Sequence, residues 1–177
     1  MTQIRSLGPD EWQVWRDLRL QALADSPDAF RETIDRAKSR AEPEWRRSAA
    51  AATQADRRLL LAEHDDRPVG MAVILISPTD PHQANLYAMW VQPAARRLGL
   101  GRALLNAAIA WAETKGLSEI GLSVTDGNDA ARQLYSEAGF VETGAHEPLR
   151  PGSELQARVM VLHLHGAGCN PGNITRG

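Results

Sequence analysis

The chain has 177 residues, with 20 Lys and Arg against 22 Asp and Glu and a formal net charge of −2. That length fits one domain with a core of its own, and so even a balance of charge excludes a general phosphate-tracking surface, so no nucleic-acid partner is expected. A single cysteine, Cys169, rules out an internal disulfide and reads as an incidental thiol, and no apolar run approaches the ~18 residues of a membrane span.

Ile4 to Leu7 is a short strand candidate. Pro9-Asp10-Glu11 then opens a helix, with proline near the first turn and acids at the positive end of the dipole. Trp12, Trp15, Leu18 and Ala22 recur along it at helical spacing until Ser26-Pro27 breaks it. Two weaker stretches follow, one with Phe30, Ile34 and Ala37 and one from Glu44 to Ala52. Leu59–Glu63 and Val69–Ser77 form a hairpin around the turn Asp65-Asp66-Arg67-Pro68, and Asn85–Val91 is a third long strand ended by Pro93. Gly101–Lys115 is a helix that Gly116 ends; Leu117–Thr125 alternates as a strand. Asn128 caps a helix over Asp129–Ala138, and Phe140–Thr143 and Arg158–Leu164 are the last strands. Antiparallel hairpins followed by strand, helix, strand, helix, strand predict a mixed α/β open sheet. Residues 1–165 make one domain, and 166–177, rich in Gly and Asn, read as a disordered tail. Met1 to Asp10 holds no apolar stretch of the kind a secretory leader needs, so a cytoplasmic setting is expected.

The sharpest local signal is Arg96-Arg97-Leu98-Gly99-Leu100-Gly101-Arg102 between a strand and a helix. Glycines there let backbone N–H groups turn inward without a Cβ in the way, and the helix that follows points its positive end at the same spot. The loop is not a P-loop, because no Gly-Lys-Ser/Thr is present, and Leu104 stands where a dinucleotide fingerprint needs its third glycine. Read alone, it is an anion site or merely a helix start with solvated arginines.

A second segment, Asn128 to Phe140, reads N-x-x-A-x-x-L-Y-x-x-x-G-F. Together with V-x-P-x-x-R-x-x-G-x-G over Val91 to Gly101, it resembles the GNAT superfamily of acetyl-coenzyme A-dependent N-acetyltransferases, in the family's motif order. The resemblance covers about Ile4 to Leu164, reaching Arg19–Leu23, Ser26–Phe30 and the closing strand with Met160 and Leu162. It implies a mostly antiparallel central sheet flanked by helices and splayed into a cofactor cleft. It also implies that acetyl-CoA is the co-substrate, that its pyrophosphate sits in the loop from Arg96 through Arg97, Leu98, Gly99, Leu100 and Gly101 to Arg102, and that its pantetheine arm pairs with the backbone of Met89, Trp90 and Val91. By the same resemblance Asn128 contacts the cofactor and Tyr135 is the general acid; from the residues alone, Asn128 is equally a helix cap and Tyr135 equally a packed face.

The match thins at the base. Many family members carry a glutamate on the strand before the phosphate loop, but residues 82–91 hold no carboxylate and Asn85 occupies the expected place. Glu63, at the end of a neighbouring strand, is the substitute base on sequence grounds, with His82 behind it. Asp28, Phe30 and Tyr87 are the candidate acceptor contacts, and Arg31, Glu32 and Trp90 fall beside them. The expected acceptor is a small-molecule primary amine; a protein N-terminus or lysine, and a non-catalytic acyl-CoA-binding module, are the alternatives. No metal is expected, because the five histidines show no ligand spacing. No membrane partner is expected, and a homodimer joined through the apolar Val159–Leu162 stretch is the one oligomer the pattern suggests.

Overall fold

The structure is a computed structural model that describes residues 1–164. The expected tail lies outside the described residues. Seven strands form one sheet in the order β1-β2-β3-β4-β5-β7-β6. These are β1 (Thr2–Ser6), β2 (Arg57–His64), β3 (Arg67–Ile76), β4 (Gln83–Val91), β5 (Glu119–Thr125), β6 (Val141–Pro148) and β7 (Gln156–His163). Only β4 and β5 run parallel. The helices are α1 (Trp12–Asp25), α2 (Ile34–Lys38), α3 (Glu42–Ala51), α4 (Leu100–Thr114) and α5 (Asp129–Glu137).

The period-2 pattern of the hairpin divides the core in two. Leu60, Ala62, Ala72 and Ile74 face α4, whose Leu104, Leu105, Ala108 and Ala112 are fully buried against them. Leu59, Leu61 and Met71 face the other way, onto Trp12, Trp15, Leu18 and Trp45 of α1 and α3. Asp65 and Asp66, at φ 49° and 60°, make a two-residue turn whose handedness matches the twist of the strands. On this second face the N-terminal helices pack against the β2–β3–β4 half. The face of β5, β7 and β6 that holds Ser123, Val159 and Glu147 carries no such helix and becomes the floor of a cavity.

Two departures from the sequence reading matter. The last strands are longer and differently placed: β6 runs through His146 and Glu147 to Pro148 and forms the sheet edge, mostly exposed. The apolar β7 lies between β5 and β6, with backbone partners on both sides. Val159–Leu162 therefore has no free edge to offer a second copy, and the pairing expected through it is not available. No helix among the described residues is long and apolar enough to cross a membrane.

A cleft between two splayed strands

Strands β4 and β5 pair only at Gln83↔Glu119, Ala84↔Ile120 and Asn85↔Gly121. Gly121 permits the closest approach, since a Cβ there would sit 3.2 Å from the Asn85 side-chain oxygen. Beyond that point the strands diverge. A bulge in β4 helps: Tyr87 pairs with Val73 and Trp90 with Met71, leaving the extra residue to Ala88 at φ 53°. Past the bulge, the Gln92 N–H bonds the Val69 carbonyl at 2.7 Å. By the alternation of a strand, the Val91 amide then faces the gap. Its carbonyl accepts from Arg96 Nε at 2.9 Å.

Two cavities open from this gap. The first, of about 580 Å3, runs over the phosphate loop. It is lined by Met89, Trp90, Val91, Arg96, Arg97, Gly99, Leu100, Gly101, Arg102, Asn128 and Tyr135. Of the residues expected to hold acetyl-CoA, only Leu98 is absent from that wall; it points outward, 48% exposed. Arg97 and Gly99 are both left-handed, at φ 67° and 76°, which curls the loop around a hollow. Among the described residues no side chain caps the first turn of α4, so its leading N–H groups are open to an anion. Gly101 is needed for fit, because a Cβ there would already touch Leu134 and Met89. Trp90 is buried in the α1 face of the core and gives its indole N–H to Asp25, which also receives Arg96.

The second cavity, of about 520 Å3, lies on the far side of Tyr135. Phe30 and Arg31 roof it, Tyr87 and Asn85 form the β4 wall, and Ser123, Val159 and Glu147 form the floor. The two cavities share Ala29, Phe30, Met89, Asn128, Ala131 and Tyr135 as walls. Tyr135 thus stands at the seam. Its ring packs 5.8 Å from Phe140, and burial pushes its phenol up to about 12. Asn128 caps α5 by accepting the Ala131 N–H at 3.3 Å, and the same side chain lines both cavities. Both roles read from the sequence are thus geometrically compatible.

Other expected residues are not brought together. Glu63 lines neither cavity; its carboxylate accepts Gln3 Nε2 at 2.6 Å and Arg5 Nε at 2.8 Å across the β1–β2 pair. Those bonds, Gln3 first, hold it below the usual carboxylate range, which suits a structural tie better than a base. Asp28 turns outward, its side chain 73% exposed and 3.6 Å from Arg150. Phe30 and Tyr87 do line the second cavity. The carboxylate that sequence reasoning missed is Glu147. It accepts Ser123 Oγ at 2.5 Å and pairs with Arg31, and the Ser123 bond holds it below its ordinary value despite partial burial. Only the register of β6 on β7, Glu147 opposite Ala157, brings it there.

A family model described as "Acetyltransferase (GNAT) family" matches residues 18–140. Among curated proteins, the chain is 33% identical over 147 residues to a mycothiol acetyltransferase of Renibacterium salmoninarum. It is 31% identical over 137 residues to one of Thermobispora bispora. The matches cover 80% and 75% of this chain but only 41% and 43% of those proteins, so the chain spans about two fifths of their length. Among solved structures, the acetyltransferase of GNAT family from Streptococcus pneumoniae superposes with a TM-score of 0.80 at 22% identity, covering 93% of this chain and 100% of that one. The structure of yncA from Salmonella typhimurium with its cofactor acetyl-CoA gives 0.79 at 19% identity, covering 96% and 98%.

Proposed function

The chain belongs to the GNAT family of acetyltransferases, and on that premise we propose that it moves the acetyl group of acetyl-CoA to a primary amine of a small molecule, by direct attack in a ternary complex. The observation that carries this reading is the pair of cavities meeting at Tyr135, one lined by an anion-binding loop and one by side chains. An acceptor cleft of about 520 Å3 is of the size that small-molecule sites occupy.

The residues fit the co-substrate. The open N–H groups at the start of α4, with Arg96, Arg97 and Arg102, suit a pyrophosphate. The Met89–Val91 edge, unpaired on the cleft side, suits the amides of a pantetheine arm, which would lie there as an added strand. Acetyl-CoA supplies the thioester and its leaving thiolate. The Val91 N–H, turned to the gap, is the donor best placed to polarise the acetyl carbonyl as charge builds on its oxygen. Tyr135 serves the sulfur. Burial raises the Tyr135 phenol to about 12, so it gives up its proton to a thiolate less readily than an ordinary phenol does. Tyr135 is therefore more effective as a hydrogen-bond donor that steadies the departing thiolate, with the proton completing its move as the amine gives up its own.

The test is thermal unfolding with and without acetyl-CoA. At about 100 times its dissociation constant the ligand adds roughly 2.7 kcal/mol to the folded state. Wild type and Tyr135→Phe are expected to shift, and an Arg97→Ala, Gly99→Ala double variant is not. A wild-type protein that does not shift would sink the acetyltransferase reading.

A further inference from the structure

The acceptor cavity carries a charge pattern that acetyl transfer alone does not demand. Its charged lining residues are two arginines, Arg19 and Arg31, and one carboxylate, Glu147. Arg31 comes from the loop after α1 and Glu147 from the sheet edge, yet they meet. Resting on the acetyltransferase reading, we propose that the Arg31–Glu147 pair selects acceptors that carry a carboxylate beside the amine, namely free α-amino acids with an apolar side chain, the acceptor's carboxylate taking Arg31 and its ammonium taking Glu147.

Three observations support this. First, both partners keep capacity for a ligand: their side chains are 53% and 37% exposed, and among the described residues Arg31 spends only Nη2 on Glu147. Ser123 fixes Glu147 independently, so the carboxylate stays in place when Arg31 changes partner. Second, Arg31 and Glu147 are a matched pair of opposite charges, and the zwitterion of an amino acid offers each of them its opposite, which a simple amine does not. Arg19, ion-paired with Glu32 through Nε, stands beside them: its side chain is 10% exposed, it stacks 4.8 Å over Phe30, and among the described residues its buried Nη1 has no hydrogen-bond partner. Third, Phe30, Leu149 and Val159 give a hydrocarbon side chain apolar surface to rest on, beside the polar Asn85, Ser123, Thr125 and Asn128.

The reaction balances. The ammonium loses one proton to solvent at the mouth beside Glu147, the nitrogen bonds the acetyl carbon, the C–S bond breaks with its electron pair going to sulfur, and the second nitrogen proton ends on sulfur. Products are an N-acetyl amino acid, free thiol and one released proton.

The experiment measures thiol release at saturating acetyl-CoA for L-leucine, L-methionine and L-phenylalanine, each beside its amide and its decarboxylated amine. The acids are expected to exceed both partners by about 10- to 100-fold in kcat/KM, the worth of one charged hydrogen-bonding contact. Arg31→Ala should erase that ratio by raising KM for the acids well beyond any rise for the amides, and Arg31→Lys should restore part of it. Amides that match the acids, a ratio that survives in Arg31→Ala, or no transfer to any carboxylate-bearing acceptor overturns the proposal. The acetyl-CoA thermal shift, run on the same samples, separates this from failure of the acetyltransferase reading: a retained shift with no preference for acids discards only the acceptor class.

Discussion

The two cavities that meet at Tyr135 are made by opposite means. The side proposed for the phosphates is built from one continuous stretch, Arg96 to Arg102, and offers main-chain N–H groups at a helix start. The acceptor side is assembled from four separate places: Phe30–Arg31, Tyr87, Ser123 and Glu147. It works through side chains. The first kind of site is tolerant of side-chain loss and intolerant of backbone change; the second is the reverse. Acceptor choice can therefore drift by single substitutions while co-substrate binding stays put.

The largest expected effect lies at the seam common to both. Tyr135→Phe should lower kcat by about 100-fold or more with acetyl-CoA affinity unchanged, since only the hydroxyl is removed. An equal loss in acetyl-CoA affinity would mean that Tyr135 belongs to the phosphate side rather than the seam. Next comes Glu147→Gln, expected to raise acceptor KM about tenfold or more and leave acetyl-CoA KM alone. Its counterpart, Arg102→Ala, should weaken acetyl-CoA by less than about tenfold, because the loop amides remain and Arg102 is already shared with Glu137 at 2.5 Å. If Arg102 matters more than that, the backbone is not the main cradle.

How much of this was readable follows the same divide. The phosphate loop, α4, α5 and the hairpin are local patterns, and Gly99, Gly101 and Asn128 stand in sequence where the structure uses them. Glu147 was not readable. It sits in Thr143-Gly144-Ala145-His146-Glu147-Pro148, with no apolar alternation, and becomes a strand only because β7 pairs with it through a register shift between Glu142 and His146. Glu63 misled for a related reason. Its partners Gln3 and Arg5 lie about sixty residues away, on a strand whose pairing no local pattern reveals.

Acidity distinguishes Glu63 from Tyr135. Glu63 has its folded value lowered, so it lends stability that is present above the ordinary carboxylate pKa and lost as the pH falls through the folded one. Glu63→Gln should therefore flatten the acid side of a Tm-against-pH curve without moving kcat, and a kcat collapse would reinstate it as the base. For Tyr135 the sign reverses. Its value is raised from 10.0 to about 12, so its stabilisation is present below 10.0 and lost between there and about 12. Tyr135→Phe should remove that alkaline loss. The smallest effect is Asn128→Ala, which should cost about 1 kcal/mol of stability through the α5 cap.

The three residue pairs between β4 and β5 also bear on how the molecule comes apart. The sheet is two leaves, β1 to β4 and β5 to β6, hinged along Gln83–Asn85 and Glu119–Gly121. A chain that fills the open side of the hinge with its own amides ties the leaves together. Amide hydrogen exchange at those residues should slow when acetyl-CoA binds, even at positions the ligand does not touch, because opening the hinge would first require its release. The gap proposed to take the co-substrate is also where the two leaves share the fewest strand pairings, so occupancy would brace it.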